Sequence, residues 1–268
     1  MQRDHPHLRL RDQSLNRLIP NVLTVLALCA GLTSIRFGLL GKWEIAVFAI
    51  VVAGVLDALD GRIARLLNGT SKFGAELDSL SDFVSFGVAP ALLLHLWTLS
   101  QVRGLGWVVA LLYAVCCALR LARFNTRLDN TDVPAWTSRF FVGVPAPAGA
   151  GLAIVPMIAA LEFGDAYLRN PWFVGSVLTA VALLMVSRVP TVSIKRVRIT
   201  HDWVVPTLLL VGLSAACLVT MPWITLLAVG VVYGASIPFS IAAFRKLSRN
   251  PPVEPVPDID QPEDTTVV

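Results

Sequence analysis

Eight apolar stretches, each close to the length that crosses a bilayer, follow one another along the chain and limit its fold more than any other feature. A membrane-spanning helix takes about 20 predominantly apolar residues. The stretches cover residues 18–40, 43–66, 80–99, 105–124, 143–161, 171–187, 203–220 and 222–244. The loops between them are short. We therefore expect an all-α polytopic integral membrane protein with about eight spans.

The content of charged residues excludes a soluble enzyme or a nucleic-acid-binding protein. Only 15% of the 268 residues are charged and 55% are hydrophobic, whereas a soluble domain carries about 25% charged residues. The basic residues are also distributed unevenly. Eighteen of the 22 Lys and Arg residues lie in the N-terminus, in alternate loops and in the C-terminal flank. Because basic loops stay in the cytoplasm, both termini and these loops are predicted to be cytoplasmic.

The two ends of the chain differ from the rest. Residues 1–17 are basic and are expected to form a cytoplasmic N-terminal segment. Residues 250–268 combine five prolines with five acidic residues and contain no Lys or Arg. Such a composition cannot bury a core, so this tail is predicted to be disordered.

Four aspartates at the cytoplasmic boundary are the candidate chemical centre. Asp57 and Asp60 end the second apolar stretch, and Asp78 and Asp82 begin the third. Spacings of three and four residues put each pair on one face of its helix. The turn at residues 68–71 allows the two faces to point at each other. Four carboxylates at such a place cannot all be ionised and unpaired, so they are either protonated or bound to cations.

Hard divalent cations fit this cluster, because the nearby ligands are oxygens and no His or Cys is close. Two such ions would balance four negative charges. The alternative is salt bridging to Arg62 and Arg65, although two arginines would leave two acids unpaired.

Small residues separate the acids and leave room for a ligand. Gly61, Ala64 and Gly74 lack bulky side chains, and Arg65 can reach a phosphate with its planar guanidinium. Together they predict a polar, metal-bearing cavity that suits a pyrophosphate-containing substrate.

The spacing of these residues matches a known signature. Written out, the stretch is Asp57-x2-Asp60-Gly61-x2-Ala64-Arg65-x8-Gly74-x3-Asp78-x3-Asp82. In every position it resembles the signature of the CDP-alcohol phosphatidyltransferase family, and the resemblance extends over about residues 18–200. It implies a six-helix membrane core at 18–200, followed by two additional transmembrane helices within 201–249. It also implies two Mg²⁺ or Mn²⁺ ions, an active site at the cytoplasmic face of the cell membrane and, usually, a homodimer.

The resemblance also implies roles for individual residues. Asp57, Asp60, Asp78 and Asp82 correspond to the metal ligands, with Asp82 also the general base. The expected binding residues for the CDP-lipid, including the small residues that make room for it, are Asn21, Thr24, Gly61, Ala64, Arg65, Ser71 and Gly74.

Further segments resemble the branch of the family that uses L-serine as the acceptor. They are residues 81–91, 120–125, 144–148 and 187–190. This branch transfers the phosphatidyl group of CDP-diacylglycerol to the hydroxyl of L-serine and releases CMP. The serine carboxylate calls for an arginine, and Arg120, Arg123 and Arg188 are the candidates. Alternatively, these arginines only determine the membrane topology.

Two other functions are compatible with parts of the pattern. A sister enzyme of the family would use glycerol 3-phosphate or an inositol phosphate with the same signature. A divalent-cation transporter would use the four acids as a site at the membrane midplane. The position of the acids at one edge, and the lack of a corresponding half-repeat later in the chain, disfavour a transporter.

Overall fold

The computed structural model describes residues 6–67, 69, 71–128, 140–187, 190–192 and 204–249. The tail at 250–268, for which disorder is predicted, lies outside these residues.

The described part of the chain consists almost entirely of helices. The first four are α1 (Pro6–Leu39), α2 (Trp43–Leu66), α3 (Lys72–Asp82) and α4 (Ala89–Trp97), and a π-helix at Phe83–Val88 joins the last two. The others, after a 3₁₀ turn at Leu99–Val102, are α5 (Arg103–Leu128), α6 (Ala146–Phe163), α7 (Asp165–Leu168), α8 (Pro171–Val186), α9 (Val204–Thr220) and α10 (Pro222–Arg249).

Five helical segments are long and apolar enough to cross a membrane. They are Leu18–Leu39, Lys72–Trp97, Leu99–Thr126, Ala146–Phe163 and Pro222–Phe239. The other three predicted spans are helical as well, but α2 carries several charged residues, and α8 and α9 have only 16 and 17 residues. The predicted class, an all-α membrane protein, is confirmed, while the number of spans stays a prediction.

Among the described residues, two short strands depart from the helical fold. Strands β1 (Phe140–Val142) and β2 (Pro190–Val192) form a two-stranded antiparallel ribbon, with Phe140 opposite Val192. This ribbon joins the segment after α5 to the segment after α8. It was not predicted, because three-residue strands leave no readable alternation of apolar and polar residues.

The third helix begins earlier than its apolar residues indicate. The apolar stretch starts near residue 80, but α3 starts at Lys72, because the side chain of Ser71 caps it by accepting a hydrogen bond from the backbone N–H of Gly74 (3.0 Å). As a result, Asp78 lies inside α3, and Asp82 is the last residue of α3 before the π-helix.

Helix α1 packs against α3 and the π-helix that follows it. Ser81 donates a hydrogen bond to the carbonyl of Thr24 (3.1 Å), and Ser85 donates one to the carbonyl of Ala27 (3.2 Å). Gly31 permits this approach, because a Cβ there would collide with Ser85. The contacts bring the part of α1 around Thr24 and Ala27 next to the acids.

Candidate active site

Three of the four predicted acids meet where α2 faces α3. Carboxylate oxygens of Asp57, Asp60 and Asp78 all lie within 4.8 Å of one another, so the three residues could hold one metal ion. Asp60 is buried, with only 4% of its surface exposed. The three-residue spacing on α2 and the reversal of the chain before α3 produce this convergence.

Asp82 extends the cluster by one helical turn. It lies four residues after Asp78 on α3, and its side chain is within hydrogen-bonding reach of that of Asp57. The four acids therefore form a continuous group, in which Asp82 joins the three-acid site through Asp57.

The guanidinium of Arg120 interacts electrostatically with Asp57 and Asp82, but at a longer distance than an ion pair. Within the residues that the structure describes, none of the four carboxylates forms an ion pair, and the pair that does form joins Arg169 to Asp165 (3.1 Å). The alternative of salt bridges to Arg62 and Arg65 is therefore not supported. Converging carboxylates that form no ion pair with the described basic residues are the donor set that a hard divalent cation prefers, so the residues present fit such an ion.

Thr24 on α1 orients one of the acids. Its hydroxyl donates a hydrogen bond to Oδ2 of Asp60 (2.7 Å) and also lies 3.1 Å from the carbonyl oxygen of Pro20. Both Thr24 and Asp60 are buried. A buried partner of this kind fixes the carboxylate in the direction of a bound ion.

Thr24→Val should therefore weaken metal binding. Valine keeps the shape of threonine but cannot donate to Asp60, and loss of such an outer partner costs about 10–100-fold in metal affinity or activity. The measurement is the dissociation constant of the purified protein for Mg²⁺ or Mn²⁺. Thr33→Val is the matched control, because that hydroxyl bonds only within its own helix, to the carbonyl of Cys29 (2.6 Å). Equal dissociation constants in both variants would contradict the role of Thr24.

A cavity of about 420 Å³ adjoins the acids between α1, α2 and α3. Asp60 and Asp78 contribute to its wall. All seven residues predicted to bind the CDP-lipid also line it, namely Asn21, Thr24, Gly61, Ala64, Arg65, Ser71 and Gly74. Pro20, Gly69 and Ala75 complete the lining. Each of these three is a sequence neighbour or near neighbour of a predicted residue, which is the only signal that could have identified them.

Two glycines shape this cavity in different ways. A Cβ at Gly61 would project into open space, so this residue keeps the cavity wide. A Cβ at Gly74 would lie 2.8 Å from Oδ1 of Asn21 and 3.1 Å from Oγ of Ser71, so Gly74 permits the close packing of α3 on α1. Arg65 is exposed, and its Nε donates to the carbonyl of Gly61 (2.9 Å). The Nη groups of Arg65 provide further donors for a phosphate.

The three candidate arginines for the acceptor have different surroundings. Arg120 interacts electrostatically with Asp57 and Asp82, and its guanidinium lies 5.4 Å from the ring centroid of Phe124. Arg123 instead donates from Nη1 to the carbonyl of Val186 at the end of α8 (2.7 Å). Arg188 lies outside the described residues. Hence the structure brings Arg120 to the acids, while Arg123 contacts a neighbouring helix end.

Comparisons with known proteins agree with this geometry. A family described as CDP-alcohol phosphatidyltransferase matches residues 17–186, and a second, described as CDP-alcohol phosphatidyltransferase 2, matches residues 202–238. Several relatives carry the name CDP-diacylglycerol–serine O-phosphatidyltransferase. That of Mycobacterium bovis is 40% identical over 237 residues, which is 88% of this chain and 82% of the relative. That of Mycobacterium leprae is 41% identical over 235 residues (88% and 78%), and that of Bacillus subtilis is 33% identical over 171 residues (64% and 88%).

Proposed function

The chain belongs to the CDP-alcohol phosphatidyltransferase family, and on that basis we propose that it transfers the phosphatidyl group of CDP-diacylglycerol to the hydroxyl of L-serine. One observation carries the assignment of the acceptor: relatives named for this reaction are about 40% identical over 88% of the chain. The acid cluster beside a cavity lined by the expected lipid-binding residues supports the reaction type.

Asp57, Asp60 and Asp78 would hold a divalent cation, and Asp82 would contribute to a second one. We propose two ions, Mg²⁺ or Mn²⁺, because two divalent ions carry the four positive charges that balance four carboxylates. When bound, such ions polarise a phosphoryl oxygen and stabilise the charge on a leaving phosphate.

The residues of the chain bind and orient the two substrates. Arg65, Ser71 and Asn21 offer donors and acceptors to the cytidine diphosphate group in the cavity, while the acyl chains remain in the bilayer. The serine hydroxyl oxygen forms a bond to the lipid-linked phosphorus as the bond from that phosphorus to CMP breaks. Asp82 accepts the proton of the hydroxyl, as expected of a general base within reach of the acceptor.

We further propose that the chain crosses the cell membrane eight times, with both termini and the acid cluster on the cytoplasmic side. The distribution of basic residues supports this orientation. In this arrangement residues 18–200 form the catalytic core, 201–249 add two helices, and 1–17 and 250–268 are the cytoplasmic ends. We also propose a homodimer, which rests on the family resemblance alone. The molecular mass of the purified protein in detergent tests it.

Release of CMP by the purified protein tests the reaction. We expect release from CDP-diacylglycerol to require both a divalent cation and L-serine, with phosphatidylserine as the lipid product. Glycerol 3-phosphate and inositol phosphate, offered separately, identify a sister enzyme. Transfer to either of these in preference to L-serine would contradict the proposed acceptor.

Arg120→Lys should weaken the binding of serine. Lysine keeps the charge but loses the planar pair of donors that grips a carboxylate. We expect the KM for L-serine to rise about ten- to a hundredfold, since about 1.4 kcal/mol corresponds to tenfold. The KM for CDP-diacylglycerol should change much less.

Arg123→Lys and Arg188→Lys are the comparison variants. Arg123 already donates to Val186, so its replacement should affect serine binding less than that of Arg120. An unchanged KM for L-serine in all three variants would leave these arginines as topology determinants or phosphate contacts.

A further inference from the structure

Tyr233, in α10, has a buried hydroxyl group for which the described residues provide no hydrogen-bond partner. The hydroxyl oxygen of Tyr233 is buried and forms no hydrogen bond with any residue that the structure describes. Leaving such a group unpaired is unfavourable, and most buried polar side chains are paired. An unpaired buried donor therefore points to a missing polar ligand when it lies in a polar region.

A charged side chain lies near this hydroxyl, although the ring of Tyr233 packs against the apolar core. Tyr233 interacts electrostatically with the guanidinium of Arg120, which also interacts with Asp57 and Asp82. Arg120 forms no ion pair with either acid in the described part of the chain. None of these four residues lines the cavity between α1, α2 and α3. The phenol and the guanidinium thus belong to a second region, on the Asp57 and Asp82 side of the acid cluster.

Two glycines hold Tyr233 in this position. Gly230 and Gly234 flank it on α10, and a Cβ at these positions would lie 2.8 Å from Cγ2 of Val155 and 3.5 Å from Cδ2 of Leu152, both on α6. A pair of small residues four apart is a common way for two membrane helices to approach closely. This contact turns the Tyr233 face of α10 towards the core.

We propose that Tyr233 is a specificity-determining residue that donates a hydrogen bond to the carboxylate of the acceptor, beside Arg120. The proposal rests on the proposed function, in which that acceptor is L-serine. A cation and a neutral donor together recognise an anionic group, whereas the ammonium group of serine would be repelled by Arg120 and attracted by the acids. α10 thereby contributes to the site although it lies outside the catalytic core at 18–200.

Tyr233→Phe tests this role because it removes only the hydroxyl. We expect the KM for L-serine to rise about tenfold, equivalent to about 1.4 kcal/mol, while kcat and the KM for CDP-diacylglycerol stay within about twofold of the wild-type values. The preference for L-serine over serinol, which lacks the carboxylate, should fall by a similar factor, about tenfold. Tyr167→Phe is the matched control, since Tyr167 is 89% exposed, and it should leave all these constants unchanged.

A second pair of variants tests the placement of α10 without changing Tyr233. Gly230→Val introduces a side chain where even a Cβ contacts Val155, so it should also raise the KM for L-serine. Gly212→Val is the matched control on α9, because a Cβ at Gly212 meets no atom within 4 Å.

Three outcomes would overturn the proposal. They are an unchanged KM for L-serine in Tyr233→Phe, an unchanged preference over serinol, and a rise in the KM for CDP-diacylglycerol instead of that for serine. The proposed function fails separately, if the wild type transfers to glycerol 3-phosphate or an inositol phosphate. In that case the KM for that anionic acceptor, measured in the same variants, decides the role of Tyr233.

Discussion

Replacing Asp78 by asparagine is expected to lower CMP release by at least about a thousandfold, equivalent to about 4 kcal/mol of transition-state stabilisation. Asp78 is the one member of the three-acid site that comes from α3, and its carboxylate lies within 4.8 Å of those of Asp57 and Asp60. An amide has almost the same shape but carries no charge. The variant should therefore fold as the wild type does and lose the affinity for a divalent cation.

Glu76→Gln provides the matched control for this variant. Glu76 is an exposed acid two residues earlier on the same helix, so its neutralisation should leave the rate unchanged. Asp57→Asn and Asp60→Asn should behave like Asp78→Asn, and EDTA should abolish the activity of the wild type. Full activity in EDTA, or in Asp78→Asn, would contradict a metal site at these acids.

The convergence of the acids was predictable because it depends on local geometry. Residues three or four apart share one face of any α-helix, so each pair of aspartates had to point in one direction. The turn predicted from the sequence between the two helices then left few ways to arrange them. The sequence did not reveal that Asp82 lies beside Asp57 rather than within the three-acid site, because this depends on the relative shift of α2 and α3 along each other.

The boundaries of α3 were less predictable, for a physical reason. Apolar periodicity detects only residues that face lipid or the core, and the first two turns of α3 include Lys72, Glu76 and Asp78. Their helical conformation relies on the Ser71 cap and on contact with α1. A pattern of apolar residues registers neither of these.

The different neighbours of Arg120 and Arg123 could not be predicted from the geometry of α5 alone. Their spacing put both on roughly one side of α5, yet the angle of about 60° between positions three residues apart is enough to give them different neighbours. Arg120 interacts electrostatically with Asp57 and Asp82, whereas Arg123 donates a hydrogen bond to the last residue of α8. The partner of each side chain depends on how α5 packs against α8, which no local rule specifies. The position of Tyr233 was equally unpredictable. The sequence shows Gly230 and Gly234, but it does not show that α6 packs against them.

Asp82→Asn is expected to separate chemistry from binding. Removal of a general base costs about 10²–10⁴ in rate, so CMP release should fall within that range. The three-acid site of Asp57, Asp60 and Asp78 stays intact in this variant, because Asp82 is a neighbour of that site rather than one of its three members. We therefore expect Asp82→Asn to lose more of the rate than of the binding of CDP-diacylglycerol in the presence of Mg²⁺ or Mn²⁺, with any weaker binding reporting the contribution of Asp82 to the second ion.

Equilibrium binding of labelled CDP-diacylglycerol, measured beside the rate of CMP release, distinguishes the two roles. Asp78→Asn should lose metal-dependent binding together with the rate, whereas Asp82→Asn should lose mainly the rate. If Asp82→Asn loses binding as completely as Asp78→Asn does, Asp82 acts chiefly as a metal ligand, and another group must accept the proton. A partial loss of binding with a larger loss of rate would mean that one carboxylate contributes to both, because a carboxylate can bind a cation through one oxygen and accept a proton on the other.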